Sequence, residues 1–351
     1  MRVLWLSPWL RPRARIWAEH LKRLDVDVML VTSDLNYESD TAREYETVLH
    51  GRPVPTADWV RGYTAYRKAS RFKPDIVVTE MLRDPRWRAL AGLAPRVRIV
   101  HDDKPHDPTH DLPWWNRRFL NGSPWDINAD ATVVFCNYIA AALRSRGAVK
   151  PPLYVASLTS DLESALAPPL VASELRQNFL LIGRQRPYKN HEVVFAAWEA
   201  HTRGSAWRGD ELVLFGAGEI SSPLPPHARW HQGAYQYRQV AAELASAKGS
   251  LIHSRSASQS GVQLLSLSLG VPTLVSTAGG LPEYQPPGFS ITGIDDAEGL
   301  ARDLDALADP AEVGRQSRAA VAHYRENYAP DVASRRLVEI FQDVLRHSNG
   351  R

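Results

Sequence analysis

The sequence predicts an α/β protein built from two doubly wound halves, and three observations carry that prediction. Short apolar runs alternate with stretches of helical period from the first residues onward, which is how a βαβ series with a parallel sheet reads in sequence. The alternation pauses at the adjacent prolines Pro168 and Pro169 and then restarts. The chain has 351 residues, enough for about two domains of ~150 residues each.

In order, residues 3–6 read as a buried first strand, followed by an amphipathic helix over 14–24 and a strand over 26–31. A polar stretch leads to a helix over 58–72, a strand over 75–79, a helix over 85–93 and a strand over 97–100. A strand over 131–135, a helix over 138–145 and a short strand over 153–156 complete the first half. Beyond the prolines, which cannot continue a helix, come a strand over 178–182, a helix over 190–201 and strands over 211–215 and 228–231. A helix over 237–247, a strand over 250–253, a helix over 261–269 and a strand over 273–276 follow, then helices over 297–307 and 312–324. A last helix over 330–345 begins at Pro330, where a missing N–H costs nothing, and carries Val332, Leu337, Ile340, Phe341 and Leu345 on one face. That face needs an apolar surface, and the N-terminal half offers one. The expected domains are residues 1–168 and 169–329, with 330–351 as a terminal helical segment. No internal repeat is visible, which excludes solenoids and propellers.

Composition narrows the class further. Hydrophobic residues at 44% and charged residues at 23% exclude a disordered or fibrous chain. A net charge of +3, from 42 basic and 39 acidic residues spread along the chain, makes no electrostatic stripe of the kind that nucleic-acid binding needs. The single cysteine, Cys136, sits in an apolar run, can form no internal disulfide and is expected to be buried and inert. The opening apolar run is broken at Pro8 and Pro12, too early for a signal peptide, and no run reaches the ~18 apolar residues of a membrane span, so a cytoplasmic protein is expected.

Three segments carry candidate chemistry. A buried strand ends at Gly183-Arg184, and Lys189-Asn190 follows just before a helix. Gly183 permits a sharp turn, and Arg184 and Lys189 together suit a diphosphate; a solvated basic loop is the alternative. Next, a strand ending at His253-Ser254 enters a serine-rich turn, with Ser258, Gln259 and Ser260, before a helix opens at Gly261, Val262 and Gln263. Helix N-termini bind anions, and serine-rich turns are also ordinary caps. Third, a strand runs into Gly279-Gly280 and then Pro282-Glu283, where paired glycines allow close backbone approach to a ligand. The aspartates at 25, 27, 303 and 305 read as surface charge rather than as a metal site, and no metal or cofactor is expected.

Taken in order, Gly183-Arg184, Lys189-Asn190, Phe215-Gly216-Ala217-Gly218, His253-Ser254, Gly270-Val271-Pro272 and Gly279-Gly280 through Glu283 resemble the large retaining glycosyltransferases of family 4. The similarity spans the second half and, more loosely, the first. It implies the GT-B fold, two facing Rossmann-like domains with a cleft between them. It also implies that Arg184 and Lys189 hold the diphosphate of a nucleotide sugar and neutralise the departing oxygen without a metal. Gly183, Gly216, Gly279, Gly280, the Gly261 helix start and Ser258 to Gln263 would line the donor site, with Glu283 as a secondary catalytic candidate. His101, at the end of a buried first-half strand, matches a histidine that reaches the donor sugar in such enzymes. Asp102 and the basic loop Arg11, Arg13 and Arg15, which stands where relatives have a Gly-Gly turn, are candidates for the acceptor.

The sequence departs from that pattern at one place. Relatives carry two glutamates eight residues apart, and here the matching positions are Ala257 and Leu265, or Ser258 and Ser266 in a shifted register. Neutral groups among Ser258, Gln259, Ser260 and Gln263 would then have to hold the ribose. The expected function is transfer of a sugar, with retention, from a nucleoside diphosphate to a glycan, a lipid-linked acceptor or a natural product such as an antibiotic. The alternatives are a catalytically weak nucleotide- or glycan-binding partner protein and, third, an epimerase. Aromatics and cations mix over residues 59–73 as they do at bilayer surfaces, so weak peripheral membrane contact is a further expectation, against an ordinary packed helix.

Overall fold

A computed structural model describes residues 1–35, 41–51, 57–82, 85–103, 128–150, 152–235 and 237–349. In chain order its first elements are β1 (Arg2–Ser7), α1 (Arg11–Lys22), β2 (Asp27–Ser33), β3 (Glu46–Leu49), α2 (Ala57–Phe72), β4 (Ile76–Glu80) and α3 (Pro85–Ala91). Then come β5 (Arg96–Val100), β6 (Ala131–Val134), α4 (Asn137–Ser145) and β7 (Leu153–Val155). The second half has β8 (Phe179–Ile182), α5 (His191–Arg203), β9 (Leu212–Phe215), β10 (Ala228–His231), α6 (Tyr237–Ala245) and β11 (Gly249–Ile252). It continues with α7 (Gly261–Ser268), β12 (Thr273–Ser276), β13 (Ile291–Thr292), α8 (Ala297–Ala306), α9 (Pro310–Asn327) and α10 (Pro330–Asn349).

The chain divides into two compact units, Met1–Ser157 with Pro330–Arg351, and Leu158–Ala329. The division falls ahead of the proline pair at 168 and 169. Leu162 is buried in the second unit's core with Val171 packed against it, and Thr159 and Ser160 bond to the Tyr324 hydroxyl, so this stretch belongs with the second unit.

In the first unit, the described strands form one parallel sheet in the order β3-β2-β1-β4-β5-β6-β7. Helices cover both faces, so its inner strands β4, β5 and β6 are buried along their whole length, including the polar Thr79, Glu80, Arg96 and Arg98. Leu4 and Leu6 point to one face with Ala65 and Ala69 of α2 and Trp87 and Leu90 of α3. Trp5 points to the other, where it stacks on Trp17 of α1, and Trp17 stacks in turn on Phe135, with ring centroids 6.1 and 6.2 Å apart. The terminal helix α10 packs on α1 in this unit, and Tyr154 donates to Asp343 across that packing.

Two features of this unit differ from the sequence expectation. The basic segment at 11–15 is no loop. It is the first turn of α1, which begins at Arg11 because Pro12 is tolerated in the opening turn and the arginines turn inward. The polar stretch after β2 hides a strand, β3, whose first residue Glu46 is a buried carboxylate. Arg11 Nε reaches it at 2.6 Å, Arg15 Nη2 at 2.7 Å and the Thr32 hydroxyl at 2.6 Å. Burial alone would raise this carboxyl; the bonds from Arg11, Arg15, Thr32 and the Arg43 amide override it and hold it at about 2.

The second unit repeats the plan, with described strands all parallel in the order β10-β9-β8-β11-β12-β13. Phe179, Leu181, Val194 and Trp198 fill one face with α5 and α8; Leu180, Ile182, Val240 and Leu265 fill the other with α6 and α7. The two-residue strand β13 is too short to show a periodicity in the sequence. Cys136 is buried. Among the described residues, no helix is long and apolar enough to cross a membrane.

The Glu46 cluster yields a first prediction. Glu46→Gln leaves two buried guanidiniums without their carboxylate, and the variant should lose about 3–5 kcal/mol at pH 7. A group whose folded pKa is depressed stabilises above its unfolded value and loses that contribution as pH falls toward the folded one. Urea unfolding should therefore show the gap between wild type and variant shrinking as pH drops from the ordinary glutamate range toward 2; a gap constant with pH would contradict the arrangement.

Candidate functional site

In each sheet the strand order reverses once, between β1 and β4 in the first unit and between β8 and β11 in the second. Ligands of open parallel sheets bind beyond the carboxyl ends of the strands at such a reversal. The segments that leave β8 and β11 there are Gly183 to Asn190 and His253 to Ser260.

Gly183 takes φ +120°, Gly216 +130° and Gly218 +141°, conformations that side-chain-bearing residues rarely adopt. They let the segments after β8 and β9 run backbone against backbone: the Gly183 amide donates to Phe215 O at 3.0 Å, Gln185 to Ala217 O at 2.9 Å and Glu219 to Gln185 O at 3.0 Å. A Cβ on Gly216 would lie 2.0 Å from the Gly183 carbonyl oxygen, and one on Gly218 would lie 1.9 Å from that of Gln185. The buried Gln185 amide fastens the pair, donating to Gly183 O and Phe215 O at 2.9 Å each and accepting from His191 Nε2 at 2.8 Å.

This clamp fixes the two cations differently. Arg184 points outward and is exposed. Residues Pro187–Lys189 make one 3₁₀ turn that returns Lys189 toward the strand end, leaving it 8% exposed. Its Nζ donates to the Ile182 carbonyl at 3.0 Å, over Gly183, where a Cβ would sit 3.1 Å from that nitrogen. No carboxylate among the described residues pairs with Lys189. The nearby acids Glu192 and Asp295 instead take Arg255, at 3.2 and 3.0 Å. Burial, then the Arg184 charge, bring the Lys189 ammonium down to about 8, and burial, then Lys189, bring His191 down to about 4. Lys189 thus places a buried ammonium at the end of β8 with no carboxylate partner among the described residues, and that ammonium has hydrogens left to donate.

The neighbouring loops are knitted to it. Asn190, at φ +56°, donates to Ile294 O at 2.7 Å and meets His253 Nδ1 at 3.2 Å, while His253 Nε2 reaches Gly293 O at 3.1 Å. Ser260 caps α7, its hydroxyl accepting from the Gln263 amide at 3.2 Å, so Gly261 and Val262 form the open first turn beside it. Ser258 is buried and Gln259 half-buried in the same loop.

Several expected donor groups are committed inside the protein. Gln263 is fully buried and donates to Leu281 O at 3.1 Å and Gln285 Oε1 at 3.2 Å, so its side chain faces the core and not a ribose. The Gly280 amide donates to Ala257 O at 3.3 Å, which leaves Gly279, at φ +57°, as the open member of the glycine pair. Glu283 is exposed on a single 3₁₀ turn, Leu281–Tyr284, and its carbonyl accepts from the Tyr328 hydroxyl at 3.0 Å. Ala257 and Leu265, where the resemblance expects carboxylates, are both buried.

At the first unit's reversal, His101 is buried at the end of β5 with its ring tilted on Phe135 at 5.2 Å. Its Nε2 lies 3.1 Å from Glu80 Oε1 and its Nδ1 3.4 Å from Arg13 Nη1. A guanidinium only donates, so Nδ1 accepts and Nε2 carries the hydrogen given to Glu80. Burial would raise the Glu80 carboxyl, but bonds from His101, Ser7 and Trp5 bring it below its ordinary value. Of the arginines expected to meet an acceptor, Arg11 and Arg15 are bound to Glu46, and Arg13 contacts His101. Asp102 is half-buried, and the adjacent Asp103 takes Arg146 at 2.6 Å.

Sequence reasoning overlooked Gln185 and His191, and it marked Asn190 only as part of the Lys189-Asn190 pair, without its bonds to Ile294 and His253. Two glycines two apart on the neighbouring strand end, Gly216 and Gly218, are the signal that a backbone packs there and that a buried polar side chain must satisfy it.

No protein-family model matches the chain, and no curated protein sequence does. Solved structures do. A sucrose-phosphate synthase from Thermosynechococcus elongatus is similar with a TM-score of 0.70 at 14% identity, over 99% of this chain and 100% of that one. HepE from Anabaena, in complex with UDP and glucose, gives 0.67 at 12% identity, over 98% and 100%. A UDP-forming α,α-trehalose-phosphate synthase from Burkholderia vietnamiensis gives 0.65 at 12% identity, over 98% and 100%. The chain has the GT-B fold of these glycosyltransferases along nearly its full length, as the sequence resemblance implied.

Two outcomes follow from the site. Gly216→Ala should cost on the order of 2–3 kcal/mol in denaturant unfolding, because its Cβ has no room. For Lys189 the folded pKa lies below the ordinary lysine value, so wild-type stability rises with pH from about 8 to the ordinary value. Lys189→Met should therefore be more stable than wild type at pH 7, by on the order of 1 kcal/mol or more. That advantage should vanish in alkali. A variant less stable than wild type at pH 7 would mean that the ammonium is well solvated.

Proposed function

We propose that this chain is a retaining glycosyltransferase that takes a sugar from a nucleoside diphosphate, UDP before the others, and passes it to a hydroxyl of a glycan, lipid-linked or natural-product acceptor. One observation carries the reading: the buried Lys189 ammonium at the strand reversal, which pairs with no carboxylate among the described residues and feels the charge of Arg184. A diphosphate supplies the missing negative charge. The similar structures include proteins captured with UDP, with UDP and glucose and with UDP-glucose, which is why UDP leads.

In this reading the acceptor oxygen bonds to the anomeric carbon as the bond from that carbon to the β-phosphate oxygen breaks. The acceptor proton passes to the departing phosphate oxygen on the same face, which gives retention. Arg184 and Lys189 meet the charge that grows on that phosphate, where fixed donors in a water-poor site are most effective. The Gly183 turn admits the phosphate to the backbone, and the Gly279 turn, the first turn of α7 and Ser258 to Ser260 hold the nucleoside. Glu283 lies at the edge of this set. Arg13 and Asp102 remain for the acceptor. His101 can contact a sugar only by giving up its bond to Glu80 or to Arg13.

The buried Ala257 and Leu265 favour a second reading, a protein that binds the nucleotide without transferring the sugar. Product analysis separates the two. Thermal unfolding with a panel of nucleoside diphosphates should show stabilisation of about 2.7 kcal/mol at a hundredfold excess over Kd. Arg184→Ala and Lys189→Met should each abolish that gain while keeping the fold. Release of UDP from UDP-sugars together with a glycosylated acceptor supports transfer; binding without turnover supports the second reading, and a flat panel contradicts both.

A further inference from the structure

The helix α2 is inside out. Its buried positions are the alanines Ala65 and Ala69, which lie among Leu4, Leu6, Val31, Leu49 and Val77. Its large apolar side chains face solvent: Trp59 is 72% exposed, Val60 67%, Tyr63 61% and Tyr66 38%. An ordinary packed helix shows the reverse, with large residues in and small or polar residues out. These four are a third of the twelve exposed large apolar side chains among the described residues, gathered on one helix.

The arrangement of charge on the same face is equally specific. Residues three, four and seven apart on a helix share a strip. Trp59, Tyr63 and Tyr66 form one, and Val60, Arg67 and Arg71 form the next, with Arg67 over the Tyr63 ring at 5.9 Å. Arg61 and Lys68 form a third, and all four cations are exposed. Asp58 is the only acid within α2. An aromatic strip thus adjoins a basic one; Arg61, at one edge of it, meets His50, which Asp34 holds, whereas Arg67, Lys68 and Arg71 pair with no acid among the described residues.

We propose that the outward face of α2 is a docking surface for a bilayer rich in anionic lipid, on which the helix lies without crossing. Trp and Tyr rings are amphipathic and settle at the headgroup level, while arginine and lysine meet lipid phosphates and extend their apolar stems along the interface. A protein partner of ordinary composition would not require both strips, whereas an anionic interface matches both. The surface belongs to the first unit and is independent of the nucleotide reading, so either proposal can fail alone.

The test is flotation of the full chain with vesicles of phosphatidylcholine alone and of phosphatidylcholine with an equal amount of phosphatidylglycerol. Partitioning should be about tenfold or more higher on the anionic vesicles. Trp59→Ser with Tyr63→Ser should lower it by about tenfold, and each of Arg67→Gln, Lys68→Gln and Arg71→Gln by about fivefold. Circular dichroism and thermal unfolding confirm that these exposed changes leave the fold intact; should the double variant fail to fold, Trp59→Phe supplies a second readout. The difference between its emission and that of wild type should shift to the blue on anionic vesicles. Several results overturn the proposal: no flotation with either vesicle, flotation unaltered by the aromatic variants, which marks diffuse charge attraction, or equal binding to duplex DNA. So does a dimer that the aromatic variants dissociate without any vesicle binding, which marks a second copy as the occupant.

Discussion

A positive charge held out of water, with no carboxylate partner among the described residues, is the constraint around which the second unit's strand ends are organised. The acids Glu192 and Asp295 pair with the exposed Arg255, and Lys189 is buried with the Ile182 carbonyl as its acceptor. The sharp turn at Gly183 gives the ammonium its place, the glycines at 216 and 218 bring a second backbone against that turn, and Gln185 locks the two together. Such an arrangement is costly in the empty protein, since a buried ion without a partner is unfavourable. An anion beside it would offset that cost, and the proposed diphosphate is such an anion.

The first unit treats its charges in the opposite way. Glu46 draws Arg11 and Arg15 inward, and Glu80 and Arg13 between them occupy both ring nitrogens of His101. Charges that are already matched gain little from a new ligand. The same strand order in both sheets therefore supports two electrostatic characters, one poised for an anion and one neutralised from within.

Much of the fold was legible because parallel strands covered on both faces are apolar along their length. β8 and β9 fall where the apolar runs at 179–182 and 212–215 place them. β3 was hidden because its first residue is a carboxylate whose burial depends on arginines some thirty positions earlier in the chain. The onset of α1 was hidden for the same reason, since its arginines read as solvent-facing when their partner is unknown. At the site, glycines and cations could be found by spacing alone. Gln185 and His191 could not, nor could the partner of Asn190, because what makes each matter is a hydrogen bond to a residue elsewhere in the chain. Gln263 misled for that reason too: nothing local shows that it turns toward Gln285.

The most direct measurement of the central claim is the proton balance of diphosphate binding near pH 8.5. Calorimetric titration of UDP in buffers of differing ionisation enthalpy should show net proton uptake by the wild type, because the ligand restores the ammonium of a lysine that burial has partly discharged, and none by Lys189→Met. Binding with no proton uptake in the wild type would contradict it.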